Sequence, residues 1–291
     1  MKRISFKVGI FLSSTFIISS LFLFNFSGCS SDSNDIITPP NVEVEANTIK
    51  VTCEFFQICT GANSYLIMVY NNQPIPSTGC PTVTVNTQAM RITVDYGSVP
   101  CVSGIDSVRR SGQYKIQYYS NISTDSIAGK VTFTNYRIYR STNPADTSYL
   151  QISGDDDIGG KRIDPLNYRV TYVMNNNFFR DNGSNGNANL TLNVNAFVGA
   201  IGVVEDDVFT ITGDGTMTNG GSTFSYNIFD PNDPIMVYGN CRYPKSGKVM
   251  LSLNNNDYTI DFFPNNGACD AIAAITKSGV TVIVDLNAGY Y

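Results

Sequence analysis

The run Tyr168-Arg169-Val170-Thr171-Tyr172-Val173-Met174, the triplet Asp181-Asn182-Gly183 and the run Asn189-Leu190-Thr191-Leu192-Asn193-Val194-Asn195 together decide the fold class. In each run apolar side chains fall on every second position, the repeat of a strand with one face against a core. The triplet between them is turn chemistry, since Asn and Gly accept the left-handed backbone that a tight reversal needs.

The same alternation recurs outward in both directions, predicting further strands over 82–86, 91–96, 113–119, 130–139, 208–212, 224–228, 248–253, 257–262 and 280–286. Turn signals stand between them at Asp155-Asp156-Asp157-Ile158-Gly159-Gly160, Thr218-Asn219-Gly220-Gly221 and Asn254-Asn255-Asn256-Asp257. Helical periodicity is scarce. The one candidate helix covers 47–70, and β-branched content such as Ile49-Lys50-Val51-Thr52 argues against its running full length. The expectation is an all-β, antiparallel, sandwich-like body. Its N-terminal β region spans 49–160 and its C-terminal β region 161–291.

The N-terminus reads as an export signal. Lys2, Arg3 and Lys7 precede an apolar stretch over 8–24, and Phe26-Ser27-Gly28 leads into Cys29. Two small residues before a cysteine resemble the lipobox of bacterial lipoproteins, with Phe26 where Leu is usual. The resemblance implies cleavage after residue 28 and lipid on Cys29, with more than one acyl chain to give stable anchoring. Residues 29–48, which include Ser30-Ser31-Asp32-Ser33 and Thr38-Pro39-Pro40, then read as a polar tether. Ser30 after the cysteine and the Ser/Asp-rich start point to the outer membrane, with the face undetermined. The membrane is met through the lipid anchor only.

Removing residues 1–28 takes away three cations and leaves 16 basic against 24 acidic side chains, a net charge of −8. An acidic body without a basic stripe is a poor partner for nucleic acid. With Cys29 set aside, Cys53, Cys59, Cys80, Cys101, Cys241 and Cys269 make an even set, as disulfides in an exported protein require. Nearest-neighbour pairing, 53–59, 80–101 and 241–269, is the expectation among the 15 connectivities that six cysteines allow.

Two stretches resemble one another. Arg91-Ile92-Thr93-Val94-Asp95-Tyr96 is followed by Cys101, Asp106 and Ser111-Gly112, and Asp257-Tyr258-Thr259-Ile260-Asp261-Phe262 by Cys269, Asp270 and Ser278-Gly279. Each reads as a hairpin with a cysteine-bearing loop, so two related halves or one pseudo-symmetric body would both produce the pattern. The run from Val94-Asp95-Tyr96-Gly97 through Cys101 to Arg109-Arg110-Ser111-Gly112, with Cys241, Ser246-Gly247-Lys248-Val249 and Cys269-Asp270 later, resembles a family of uncharacterised Bacteroidota lipoproteins. Phe263 stands where that family commonly has glycine. The resemblance implies fold and address and no activity.

The chain has no histidine, which removes Ser-His-Asp and Cys-His catalysis and histidine-held metals. No GxSxG, Walker or GxGxxG motif occurs, and no cofactor is expected. Asp155-Asp156-Asp157 has hard oxygen ligands for calcium, but a solvated turn is the simpler reading, as it is for Asp181 to Gly186. Arg109-Arg110 reads either as an anion grip or, preferably, as a charged hairpin edge. Tyr118, Tyr119, Tyr136 and Tyr139 are candidates for a ligand face, set against half-buried packing. The favoured expectation is a non-enzymatic envelope lipoprotein with a structural or interaction role and a glycan or protein partner. A surface carbohydrate-binding or pilin-like adhesion module, and a carboxylate-pair hydrolase, stand behind it.

Overall fold

The computed structural model describes residues 41–75, 79–119, 125–200, 203, 206–228, 233–263 and 269–287. The signal segment, Cys29 and the tether as far as residue 40 lie outside the described residues. The last part of the expected tether does not hold as a tether, because α1 runs Glu43–Tyr70 without a break. Despite the β-branched Ile49-Lys50-Val51-Thr52, the helix runs its full length.

The reason is burial. Of the 28 residues of α1, 23 are buried, so tertiary packing rather than intrinsic propensity sets its conformation. Its buried threonines are satisfied locally, Thr48 Oγ1 donating to Val44 O and Thr52 Oγ1 to Thr48 O. Glu43 and Glu45 suit the positive N-terminal end of the helix dipole. At the other end Asn72 takes a φ of 53°, its N–H donates to Val69 O, and Gln73 N–H donates to Met68 O. That pair of reversed bonds is a Schellman stop.

The rest is sheet. First come β1 (Thr82–Asn86), β2 (Arg91–Asp95), the short β3 (Cys101–Val102) and β4 (Arg109–Tyr118). Five long strands follow: β5 (Ser126–Tyr139), β6 (Tyr149–Asp164), β7 (Asn167–Arg180), β8 (Asn185–Phe197) and β9 (Val208–Asn219). Then come β10 (Ser222–Ile228), β11 (Ile235–Tyr238), β12 (Lys248–Leu253), β13 (Asn256–Asp261), β14 (Ile272–Lys277) and β15 (Val280–Asp285). Among the described residues these form one 15-stranded antiparallel sheet, in chain order from β1 to β15 except that β3 hangs on β4 and β11 on β9. Its ends, β1 and β15, do not pair with each other, so the sheet is not closed.

The all-β antiparallel class therefore stands, and one sheet runs through both expected β regions, residue 160 falling inside β6. The sheet's inner face meets α1 from several sides. Glu54 faces Arg110 of β4, Cys59 O accepts from Tyr172 of β7, and Thr48 Oγ1 accepts from Asn219 of β9. The core is thus a helix surrounded by a curled sheet.

The segment 155–160, read above as a turn, lies in the middle of β6, whose residues 155–160 pair with 170–175 of β7. The turns at Asp181-Asn182, Asn219-Gly220-Gly221 and Asn254-Asn255 are where the chemistry placed them. Two of the three expected disulfides form, Cys80–Cys101 and Cys241–Cys269. The 53–59 pairing does not, and both are free buried thiols. Six residues apart on one helix they stand about 9 Å apart along the axis and on different faces, beyond disulfide reach.

Each disulfide ties the loop after a second strand to the segment before the first, around β1-β2-β4 in one case and β12-β13-β14 in the other. The aspartates match in role too. Asp95 Oδ1 accepts from Gly97 N and Asp261 Oδ1 from Phe263 N, while Asp106 Oδ1 accepts from Val108 N and Asp270 Oδ1 from Ile272 N. Gly112 and Gly279 do not match, since Gly112 sits at a bulge within β4 and Gly279 in the β14–β15 turn.

Candidate functional site

Among the described residues, two places bring chemistry-bearing side chains together. The first is inside. Arg110 of β4 forms a two-pronged pair with Asp106, at 2.8 and 2.6 Å, and its guanidinium also faces Glu54 of α1 at 3.9 Å. Glu54 takes a second partner, Arg242, at 3.0 Å. Burial alone would raise the Asp106 carboxyl, but the charge and hydrogen bonds of Arg110 outweigh it and hold it below its usual range. Lys50, one turn before Glu54, is pushed down to about 8 by burial and by the charge of Arg242.

A cavity of about 50 Å³ adjoins this cluster, lined by Gln57, Gly61, Ser64 and Tyr65 of α1, with Tyr96, Asp106, Arg110, Tyr114 and Tyr136 facing them. Burial raises all four tyrosine hydroxyls, Tyr96 to about 12, so they stay protonated hydrogen-bonding groups. The space suits a few water molecules and is far below the roughly 300–1,000 Å³ of organic-ligand pockets. Each acid here is matched to an arginine. The cluster holds α1 to the sheet.

The second place is on the outer face, where sheet register builds it. Tyr139 of β5 stands opposite Tyr149 of β6, with ring centroids 6.0 Å apart. Arg109 of β4 lies over the Tyr139 ring and Arg137 over the Tyr149 ring, each at 4.5 Å. Arg109 donates to the carbonyls of Asn143 and Asp146, tying the β5–β6 loop down over the sheet. Arg137 donates through Nε to Gln151 Oε1 at 2.9 Å. These side chains, with Val99, Pro100, Pro144 and Thr147, line a groove of about 420 Å³.

Of the sequence candidates, Tyr139 and Arg109 line the outer groove. Tyr118 and Tyr136 are inner-face residues 2% exposed, Tyr139 is 8% exposed, and only Tyr119 is open at 58%, so the four form no shared outer face. Alternation explains this, since even-numbered positions point inward in β4, and in β5 after its irregularity between Thr132 and Tyr136. Arg109 and Arg110 are 4% and 3% exposed on an interior strand, which corrects the charged-edge reading. Asp155 and Asp157 point outward to Lys130, at 2.9 and 3.6 Å, while Asp156 points inward, so the triplet shares no cation site. Arg137 lies in the expected strand 130–139, but Tyr149 escapes sequence reading because no strand is expected where β6 runs, its residues 155–160 reading as a turn. Had its register with β5 been known, the Tyr139–Tyr149 pair would have followed.

No family profile, curated protein or solved structure matches the chain. Among the described residues no helix is long and apolar enough to cross a membrane.

Proposed function

We propose that this chain is a lipid-anchored protein of the bacterial envelope, held through Cys29, whose body works by binding at its outer surface and carries out no reaction of its own. The observation that supports the binding role is α1. It occupies the space inside the sheet where a barrel-like protein would hold a ligand, and its polar cluster is spent on internal ion pairs. What is left for a partner is the outer face. Of Glu54 and Asp106, the two carboxylates that share Arg110, only Asp106 lines the space of about 50 Å³, which admits no sugar ring, and this disfavours the hydrolase reading.

The address rests on the N-terminal pattern, with the outer membrane favoured by Ser30 and the Ser/Asp-rich residues after it. Growth with a clickable fatty-acid analogue tests it. Label on the wild-type chain and none on Cys29→Ala is expected; label that survives the substitution sinks the anchor. A carbohydrate-binding role is the second reading, and the Arg137–Tyr149 groove is the observation that favours it.

A further inference from the structure

We propose that the outer groove between β5, β6 and the Val99-Pro100 loop binds a ring-shaped organic anion. Its carboxylate would be taken by Arg137 and its ring would lie against Tyr149, Pro100 and Pro144. The inference rests on the reading that the outer face is the working surface. The volume, about 420 Å³, is in the range of small-molecule sites, whereas the inner cavity is not.

The local charge runs against the global one. The chain carries a net charge of −5, yet two guanidiniums line this groove and, among the described residues, no carboxylate lies within ion-pair distance of either. Two acids on adjoining segments are engaged elsewhere. Asp146 pairs with Arg140 at 3.0 Å, and Asp95, in the shallow hollow on the other side of Arg137, accepts from Gly97 N.

The two arginines differ in what they have left to give. Arg109 is 4% exposed and committed to two backbone carbonyls, so it is a fixed positive charge in the groove wall. Arg137 is half-buried and pinned by Nε alone, and its two terminal nitrogens form the planar fork that matches a carboxylate. Stacking on Tyr149 holds that fork in place before any ligand arrives, which lowers the ordering cost of binding.

The apolar wall specifies the rest of the ligand. Val99 is 77% exposed, an unusual position for a β-branched apolar residue, and with Pro100 and Pro144 it offers a rigid surface with no donors. A bare inorganic anion would leave that surface in water, while a carboxylated ring covers it. A uronic acid and an aryl carboxylate share this chemistry. A peptide strand is disfavoured, because β4, β5 and β6 are interior strands with no free edge to pair.

The test is calorimetric titration of the full chain in detergent with trigalacturonate, its methyl ester and 4-hydroxybenzoate. Saturable binding of at least one acid is expected, falling with added salt, and at least about tenfold weaker for the ester if the saccharide is the one bound. Arg137→Gln should weaken it by about tenfold or more, Arg137→Lys by less, and Lys161→Gln, outside the groove, not at all. Unchanged melting of the variants separates lost contact from lost fold. Absence of binding to both acids up to about 10 mM, or binding indifferent to Arg137→Gln, overturns the proposal. If an envelope partner is nevertheless captured by photo-crosslinkers on the outer face elsewhere, the broader binding role survives without this groove.

Discussion

Asn176 Nδ2 donates to Asp156 Oδ1 at 2.5 Å, and both side chains are 0% exposed. The other two atoms of the pair, Asp156 Oδ2 and Asn176 Oδ1, have no hydrogen-bond partner. Both are oxygens, so a proton on Asp156 would let them bond to each other and close a two-hydrogen-bond ring between acid and amide. Burial raises the carboxyl to about 7, with Asp155 and Asp157 on the same strand adding to it and the Asn176 bond opposing.

Because the folded state binds this proton more tightly than the unfolded chain, the pair stabilises fully only below about 3.8. That contribution drains away as pH rises to about 7, by on the order of 4 kcal/mol at most. Melting temperature should fall between pH 4.5 and 7.5. Asp156→Asn, which supplies a permanent N–H to Asn176 Oδ1, should be flat over that window and more stable than wild type at pH 7.5. Lys50 works in the opposite direction but only from about pH 8 upward. A wild-type profile that rises from 4.5 to 7.5 would count against the neutral acid.

Glu54 links Arg242 at 3.0 Å with Arg110 at 3.9 Å across the helix–sheet interface. Glu54→Ala removes the carboxylate between Arg110, which keeps Asp106, and the part-buried Arg242, and should cost about 1–3 kcal/mol in urea unfolding. Adding Arg242→Ala should cost less than the sum of the two single changes, by about 0.5–3 kcal/mol. Strict additivity would mean the ion pair carries no coupling.

At Gly112 the backbone has a φ of 77°, and a Cβ there would stand 2.0 Å from Asn135 O. Gly183 has a similar φ of 83° with nothing within 4 Å. Gly183→Ala should therefore cost about 1–2 kcal/mol, the strain of the left-handed region alone. Gly112→Ala should cost more than about 3 kcal/mol, since β4 and β5 must also part. Equal losses would place the bulge elsewhere.

The two disulfides close loops with sequence separations of 21 and 28. Cys80→Ser/Cys101→Ser and Cys241→Ser/Cys269→Ser should each lose about 3 kcal/mol. Burial raises the Cys53 and Cys59 thiols well above the ordinary thiol range, which keeps them inert. Alkylation of native protein followed by peptide mapping should leave both unmodified, and denaturation should expose both.

Strands were legible wherever one face is wet, because the pattern of two then shows in the side chains, as in β7 and β8. The helix shows in sequence as the candidate over 47–70, and only its full length is masked by its own burial. A helix enclosed on every side needs no polar stripe, so its residues carry no 3.6 period, and Ile49-Lys50-Val51-Thr52 then looks like a strand. β6 was hidden by composition, since Gly154, Asp155, Asp156 and Asp157 are turn formers by propensity, and only cross-strand pairing with β5 and β7 holds them extended. The candidate groove shared that fate. Its two tyrosines are ten positions apart in the chain, and they meet only through a register that local sequence does not encode.

The position of α1 at the head of the chain sets a problem of timing. The helix emerges ahead of every strand that covers it, and Arg242, which partners Glu54, follows 188 residues later. Until then a segment that the finished fold buries almost throughout has nothing to pack against, and local contacts cannot finish the core. Such a polypeptide should refold slowly and clump when concentrated, and in a cell it would depend on a holding chaperone until β12 has arrived.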